Sequence, residues 1–428
     1  MATLAMDGGP KVRTKPWPEK GMRFGDEELK ELKEALEQNT LFYIYGQKTK
    51  QLCAKMAKMC GSKHVVACSS GSGAVHGSIK ACGVGPGDEV ITSPITDAGT
   101  ILGIIYEGAI PVFADIDRTS YNITAATIEE RISKRTKAVI VVHLAGVPAD
   151  IKPIVRLCRK HDIKVIEDCA QSWGTKVDDQ WVGTFGDIGT FSFNDYKHLS
   201  AGEGGLIVTD DYDLYATAWR AIDKCYDRLT GERSVYFVAP NYRITELQSA
   251  VGIAQLGKLR KICSVRHRLG DRLGAGLKGI RGVSPHKVPK GGYATYWFYL
   301  AQIDPEYLGV DAPTFGKAMN AEGIPGSGRL YMQPVYLTYP YLRNKTAFHH
   351  SRYPFTLARK SIQYGEGYCP VAETAPKNVF YFPMSEWLSS KEIDDTIAAA
   401  KKVAGHYREQ KLARDREARA EARRAKKK

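Results

Sequence analysis

Short apolar runs alternate with helical stretches through the first 170 residues, and this alternation constrains the fold more than any other feature of the sequence. The strand-like runs are HVVAC (64–68), DEVIT (88–92), IPVFAD (110–115), KAVIVVHL (137–144) and IKVIED (163–168). Strands that are apolar on both faces are typical of mainly parallel sheets covered by helices on both sides. The sequence therefore predicts an α/β fold built on such a sheet.

The pattern changes in the second half of the chain. A long helical stretch covers residues 245–277, and shorter mixed segments follow from about residue 285. We therefore predict an N-terminal arm (1–25), a large α/β domain (26–280), a small C-terminal α+β domain (281–407) and a basic tail (408–428).

The composition predicts an ordinary cytoplasmic protein. Hydrophobic residues make up 43% of the chain and charged residues 25%, as in typical globular domains. The sequence has neither an apolar run near the ~18 residues of a membrane span nor the apolar segment of a secretory signal at its start. Nine scattered cysteines without a CxxC spacing argue against a disulfide framework and a zinc site.

The net charge of +14 is unevenly distributed, because the last 21 residues carry a disproportionate share and the other 407 carry +8. Residues 408–428 contain ten basic and four acidic residues, so this tail carries +6 of the total. Its Ala/Arg/Glu/Lys composition lacks an apolar stripe, which predicts a frayed helix or a disordered extension. We expect a solubilising terminus and no nucleic-acid partner.

Small residues follow the first predicted strand, in CSSGSGA (68–74). At the carboxyl end of a strand in an open α/β sheet, such residues let the backbone approach a ligand. The following helix N-terminus offers unpaired N–H groups and positive partial charge, so a phosphate would fit. A plain helix cap is the alternative.

An acidic pair ends the apolar strand in VIEDCAQ (165–171). Because neighbouring strand side chains point to opposite faces, we expect Asp168 to face a ligand and Glu167 to face away. A buried carboxylate needs a cation or hydrogen-bond donors. Helix capping by Asp168 is the alternative.

A single lysine, Lys197, lies in FSFNDYKHLSAGEGG (191–205) between a short aromatic strand and a glycine pair. A solvated loop charge is one interpretation. A lysine beside a buried site can instead lose its proton and attack a carbonyl. With an anion cradle and a strand-end carboxylate, it indicates pyridoxal phosphate (PLP), which needs an amine, an acid and a phosphate nest.

Several motifs together closely resemble the DegT/StrS-type sugar and cyclitol aminotransferases, a family of fold-type I PLP enzymes. They occur in the family's order, between about residues 8 and 405: GSGA, GVGPGDEVIT, HLAGVPAD, EDCAQ, GDIGTFSFNDYKHLSAGEGG, NYRITELQSAVGIAQL and CPVAE. The resemblance implies a seven-stranded, mainly parallel sheet in the large domain and a smaller C-terminal domain.

The resemblance also implies roles for matching residues. Lys197 would form the internal aldimine and shuttle a proton, and Asp168 would keep the pyridine nitrogen protonated. Gln171 matches the family residue near the ring hydroxyl. The remaining matches are contacts to the phosphate, made by Gly71, Ser72 and Ser192 of the same chain and by Asn241 of a neighbouring subunit. If Asn241 has this role, the active site is shared and a homodimer is obligatory.

Two positions differ from the family pattern. Asp97, in ITSPITDAGT, takes the place of an aromatic residue that stacks on the pyridine ring, so either another side chain covers the ring or Asp97 contacts substrate. His198 follows the lysine where asparagine is commoner. Related sugar 3-dehydratases have histidine in place of the lysine; this chain keeps Lys197, which favours transamination.

The substrates are less constrained. The opening GGPKVRTKPWP (8–18) resembles cyclitol (scyllo-inosose) aminotransferases of antibiotic assembly that use glutamine as donor. A nucleotide-linked ketosugar with glutamate as donor is the alternative. Polar contacts are predicted at Arg329 and Tyr331, near the substrate entrance, with ordinary loop solvation as the alternative. Tyr43 and Tyr45 would line the partner's site in the same way.

A second hypothesis is a regulatory or binding protein that keeps the aminotransferase fold without the chemistry. Asp97 is its main support, because a fold does not fix a function.

Overall fold

The computed structural model describes residues 2–232, 235–326 and 332–426. The strands are β1 (His64–Cys68), β2 (Glu89–Thr92), β3 (Ile110–Phe113), β4 (Thr136–Val142), β5 (Lys164–Asp168), β6 (Lys176–Val177), β7 (Gln180–Trp181), β8 (Ile188–Ser192), β9 (Gly205–Thr209), β10 (Val283–Pro285), β11 (Gly292–Tyr293), β12 (Phe298–Ile303) and β13 (Val379–Pro383). The α-helices are α1 (Asp26–Glu37), α2 (Lys48–Cys60), α3 (Gly71–Ala81), α4 (Ala98–Tyr106), α5 (Ala125–Glu129), α6 (Ile151–Lys160), α7 (Tyr212–Ile222), α8 (Glu246–Leu277), α9 (Pro305–Leu308), α10 (Ala312–Ala321), α11 (Val335–Thr338), α12 (Pro340–Arg343), α13 (Pro370–Asn378) and α14 (Ser390–Ala425).

The central sheet has seven strands in the order β1-β9-β8-β5-β4-β2-β3. β9 runs antiparallel to both of its neighbours, and the other neighbouring pairs are parallel. All residues of β2, β3, β8 and β9 are buried, because helices flank the sheet. The predicted α/β fold with a mainly parallel seven-stranded sheet is confirmed.

The strand directions bring the predicted chemical groups to one edge of this sheet. β1 and β8 are both antiparallel to β9, and β5 is parallel to β8. The carboxyl ends of β1, β5 and β8 therefore lie together. Asp168 and Ser192 are the last residues of β5 and β8, and Gly71 begins the helix that follows β1.

A second layer is built on the antiparallel sheet β10-β12-β13, whose residues share a hydrophobic cluster with α10 and α14. The segment that contains α11 and α13 packs elsewhere. Tyr336 and Cys369 belong to the same cluster as Val112 and Phe113 of the central sheet. The domain boundary at residues 280 and 281 stays a prediction.

The last helix, α14, includes most of the basic tail. It begins with a capping box between Ser389 and Glu392 and continues through Ala425. Arg408 donates a hydrogen bond to the main-chain oxygen of Tyr307 at 3.0 Å, and the helix is exposed from Arg416 onward. In the part of the chain that the structure describes, no helix combines the length and apolarity that crossing a bilayer requires.

Candidate active site

A cavity of about 810 Å³ opens at the carboxyl edge of the central sheet. This volume is within the range of sites that hold a cofactor and a substrate. Of the residues predicted from the sequence, those that line it are Gly71, Ser72, Asp97, Asp168, Gln171, Ser192 and Lys197.

One wall of the cavity is a cradle made by two glycines and two serines. A Cβ on Gly71 would lie 2.6 Å from the Cβ of Ser192, and a Cβ on Gly99 would lie 2.6 Å from the Oγ of Ser72. A larger residue at Gly71 would therefore displace Ser192, and one at Gly99 would displace the hydroxyl of Ser72. Both serines line the cavity beside the N-terminus of α3, and this arrangement fits the phosphate of PLP.

Asp168 lies at the end of β5 and is 5% exposed. One carboxylate oxygen accepts a hydrogen bond from the Thr100 hydroxyl at 2.8 Å, and the other accepts one from the Ala170 N–H at 3.1 Å. Burial raises the pKa of this carboxyl, and both hydrogen bonds oppose the rise. A carboxylate held in this way fits the pyridine nitrogen of PLP.

Glu167, the neighbouring acid, lies on the opposite face of the strand and has structural contacts. Its carboxylate accepts N–H hydrogen bonds from Gly183, Phe185 and Gly186. It is also 2.9 Å from the Nε2 of His143. Through these contacts Glu167 anchors the loop that precedes β8, and Glu167 does not line the cavity.

Lys197 borders the cavity on the loop after β8. Its Nζ lies 4.0 Å from the ring centroid of Trp297, whose indole N–H donates to the main-chain oxygen of Tyr196 at 2.6 Å. Burial lowers the pKa of the Lys197 amine, and the carboxylates of Asp168 and Asp97 partly oppose this effect. A larger fraction of the amine is therefore uncharged and able to attack a carbonyl.

Gln171 and Asp97 complete the predicted residues at the cavity. The side-chain oxygen of Gln171 accepts a hydrogen bond from the Ala145 N–H at 2.8 Å. Asp97 is the N-cap of α4, and one of its oxygens accepts from the Gly99 N–H at 2.9 Å. Where the family has a stacking aromatic residue, this chain thus has a helix cap at the cavity wall.

The structure places other predicted residues away from this cavity. Tyr43 is 4% exposed; its hydroxyl donates to Asp223 and accepts the indole N–H of Trp219 at 3.0 Å. Tyr45 is exposed. Asn241 is also exposed and forms an isolated β-bridge with Asp223. Arg329 and Tyr331 lie outside the described residues.

His198, the other unusual position, is buried behind the lysine loop. Its Nε2 lies 3.1 Å from the main-chain oxygen of Thr295. Burial lowers the pKa of His198 well below its usual range, so the ring is neutral at physiological pH.

Other residues that line the cavity were not predicted from the sequence, among them Arg23, Thr100 and Trp297. Arg23 contacts a residue 174 positions away, and no local pattern indicates such a pairing. Thr100 could have been identified from the sequence, because it lies in the first turn of a helix that follows a strand end.

Comparisons with known proteins agree with this geometry. A profile of the DegT/DnrJ/EryC1/StrS aminotransferase family matches residues 23–401. The spore coat polysaccharide biosynthesis protein SpsC of Bacillus subtilis is 32% identical over 389 residues, which cover 89% of this chain and 95% of SpsC. A Streptoalloteichus tenebrarius protein named "Putative L-glutamine:3-amino-2,3-dideoxy-scyllo-inosose aminotransferase" is 33% identical over 347 residues, 78% of this chain and 81% of that protein.

A solved structure has the same fold. The E. coli GDP-4-keto-6-deoxy-D-mannose-3-dehydratase with bound hydrated PLP is similar with a TM-score of 0.77 at 25% identity, covering 90% of this chain and 99% of that chain. The chain belongs to the DegT/DnrJ/EryC1/StrS aminotransferase family, and it is a PLP-dependent aminotransferase.

Proposed function

We propose that this aminotransferase moves an amino group from glutamine or glutamate to the ketone of a cyclitol or sugar, with Lys197 as the lysine that binds PLP. One observation carries the assignment of the site. The amine of Lys197 borders the same cavity as the buried carboxylate of Asp168 and the cradle at Gly71 and Ser192.

Each residue has a distinct task in this proposal. PLP, when bound, supplies an electron sink that makes the α-hydrogen of an amino acid acidic. Asp168 would pair with the pyridine nitrogen and hold its proton, and Ser72 and Ser192 would bind the phosphate. The amine of Lys197, with its lowered pKa, would take that α-hydrogen as a proton and deliver it to C4′, the aldehyde carbon of the cofactor.

The acceptor is proposed to be a ketocyclitol. The opening residues 8–18 support this choice, as does the name of the Streptoalloteichus relative, which specifies an inosose and L-glutamine. A nucleotide-linked ketosugar is the second candidate. It is favoured by the cations of Lys20 and Arg23, which border the cavity from the N-terminal arm and could meet a diphosphate.

The two half-reactions separate these candidates. Purified protein loaded with PLP should change its visible spectrum on addition of glutamine or glutamate, and Lys197→Ala should not. The aminated form should then convert one class of ketone, either free cyclitols or nucleotide-linked sugars. If no amino donor changes the spectrum, the proposed function fails.

We also infer a homodimer in which Asn241 serves the neighbouring subunit. The support is that Asn241 is exposed and does not line the cavity of its own chain. Mixing inactive Lys197→Ala and Asn241→Ala subunits tests this idea, since a mixed dimer would hold one intact site. Activity should return on mixing; without recovery in demonstrated mixed dimers, Asn241 does not act across subunits.

A further inference from the structure

Arg23 connects the N-terminal arm to the loop that carries Lys197. Its Nη1 donates to the main-chain oxygen of Asp195 at 2.6 Å, and its Nη2 donates to that of Lys197 at 3.1 Å. The main-chain oxygen of Arg23 in turn accepts from Gln255 at 3.2 Å and from Lys258 at 3.1 Å. The guanidinium is therefore fixed at the cavity wall by contacts on both sides.

Two carboxylates act on the charge of Arg23, those of Glu386 and Asp195. Glu386 already pairs with Arg266. The carboxylate of Asp195 lies 3.6 Å from Nη1, but its side chain is 63% exposed, whereas that of Arg23 is 12% exposed. A cation that is removed from water and faces a hydrated carboxylate still gains from a further anion. Two of its five N–H groups are used by main-chain oxygens, so donors remain for a ligand.

The other fixed cation at the cavity is already paired. The Nε and Nη2 of Arg266 each lie 2.7 Å from the carboxylate of Glu386. Its Nη1 contacts three main-chain oxygens, those of Tyr296, Trp297 and Met384. Arg266 thus holds the wall of the cavity together and has little capacity for an anion.

Lys20 also borders the cavity but suits an anion less well. It is exposed, so water competes for its ammonium group. An ammonium is a point charge, whereas a guanidinium presents a planar pair of donors that matches a carboxylate. Among the described residues that line the cavity, Arg23 therefore best fits the carboxylate of an amino acid.

We propose that Arg23 is a specificity-determining residue that binds the α-carboxylate of the amino donor while it holds the main chain at Lys197. The inference rests on the proposed function, which requires an amino acid donor. A residue of the N-terminal arm would thus help to select the amino donor, because an amine without an α-carboxylate cannot make this contact.

The test compares each donor with its α-amide. Single-turnover spectra give the efficiency of the first half-reaction for glutamine and glutamate, and for the same compounds with the α-carboxylate replaced by an amide. We expect the wild-type holoenzyme to prefer the acid by about 10- to 100-fold, as for a charge-assisted pair. Arg23→Gln should reduce this preference to about threefold or less, and Arg23→Lys should be intermediate.

The ratio of the efficiencies for acid and amide distinguishes two roles of Arg23, which are binding of the donor carboxylate and support of the loop that carries Lys197. If Arg23 only positions Lys197, its loss slows acid and amide equally and the preference stays, which would overturn the proposal. Wild-type protein without a preference for the acid would also overturn it, even if the variants fail to fold. Arg260→Gln, on the exposed side of α8, is the matched control and should keep the wild-type ratio.

Two further outcomes are informative. If Arg23→Gln keeps the donor preference but loses only the reaction with nucleotide-linked ketosugars, the guanidinium binds phosphate and the proposal is wrong. If wild-type protein reacts with no amino donor, the proposed function itself fails, and that result is distinct from a failure of the Arg23 assignment.

Discussion

The hydroxyl of Thr100 donates a hydrogen bond of 2.8 Å to the carboxylate of Asp168, and both residues are buried. Thr100 lies in the first turn of α4, and Asp168 ends β5. A side chain from one segment thus orients the acid of another. This contact holds a carboxylate in a place where burial alone would favour its neutral form.

Thr100→Val should weaken PLP binding about 10- to 100-fold, the usual value of a buried hydrogen bond to a charged group. The ionised form of Asp168 loses a donor, while burial still raises its pKa. Equilibrium dialysis measures the change. Thr209→Val is the control, because its hydroxyl donates to the main-chain oxygen of Asp187 far from the cradle; equal PLP affinities for all three proteins would contradict the assignment of Asp168.

Gly71→Ala should reduce PLP affinity by more than about tenfold, since the new Cβ would lie 2.6 Å from the Cβ of Ser192 and fill the cradle. Gly405→Ala provides the comparison. A Cβ there meets no atom within 4 Å, so this change should stabilise α14 by about 0.5–1 kcal/mol and leave PLP binding intact. Unchanged PLP titration in Gly71→Ala would place the phosphate elsewhere.

The fold could be predicted because its signals are local. The apolar run in β5 and the carboxylate at its end are adjacent in the sequence, and strand alternation correctly separated Asp168 from Glu167. The segment around Tyr336 and Cys369 gave no such signal. Its packing on β3 depends on contacts between residues more than 200 positions apart, which no periodicity encodes.

The site could be predicted only in part, because some of its residues come from segments that are distant in the sequence and have no local pattern. Lys197, Asp168 and the cradle each follow a strand, so topology brings them together. Arg23 reaches the lysine loop from the arm, and a lone arginine in an irregular segment has no pattern that indicates a partner. Tyr43 was predicted as a substrate contact, and this role stays a prediction; within one chain its hydroxyl is used by Asp223 and Trp219.

Tyr43→Phe should lower the free energy of unfolding by about 1–3 kcal/mol, because the buried carboxylate of Asp223 loses a donor. Urea unfolding of the variant provides the measurement. Tyr45→Phe is the matched control, since Tyr45 is 73% exposed and its loss should change stability little. A Tyr43→Phe protein of normal stability with a raised KM for the ketone would instead support the substrate contact.

His286 should make the protein less stable in mild acid. Burial lowers the pKa of His286 from 6.5 to about 4, opposed by its hydrogen bond to the main-chain oxygen of Ser120. Between these values the unfolded chain binds more protons, so the free energy of unfolding falls as the pH decreases from 6.5 toward 4.

His286→Gln can keep the hydrogen bond to Ser120 while it removes the titration. Between pH 7 and pH 5, wild-type protein should lose about 2 kcal/mol more stability than this variant. The exposed His161→Gln serves as the control and should follow the wild type. Parallel pH profiles for wild type and His286→Gln would show that His286 does not titrate in this range.

The lysine that carries PLP can be identified directly. Borohydride reduction of the loaded protein fixes the cofactor to that lysine, and peptide mass spectrometry then locates the added mass. We expect one labelled peptide with the modification on Lys197, and no label in Lys197→Ala. A label on a different lysine, or an unlabelled wild-type protein, would contradict this expectation.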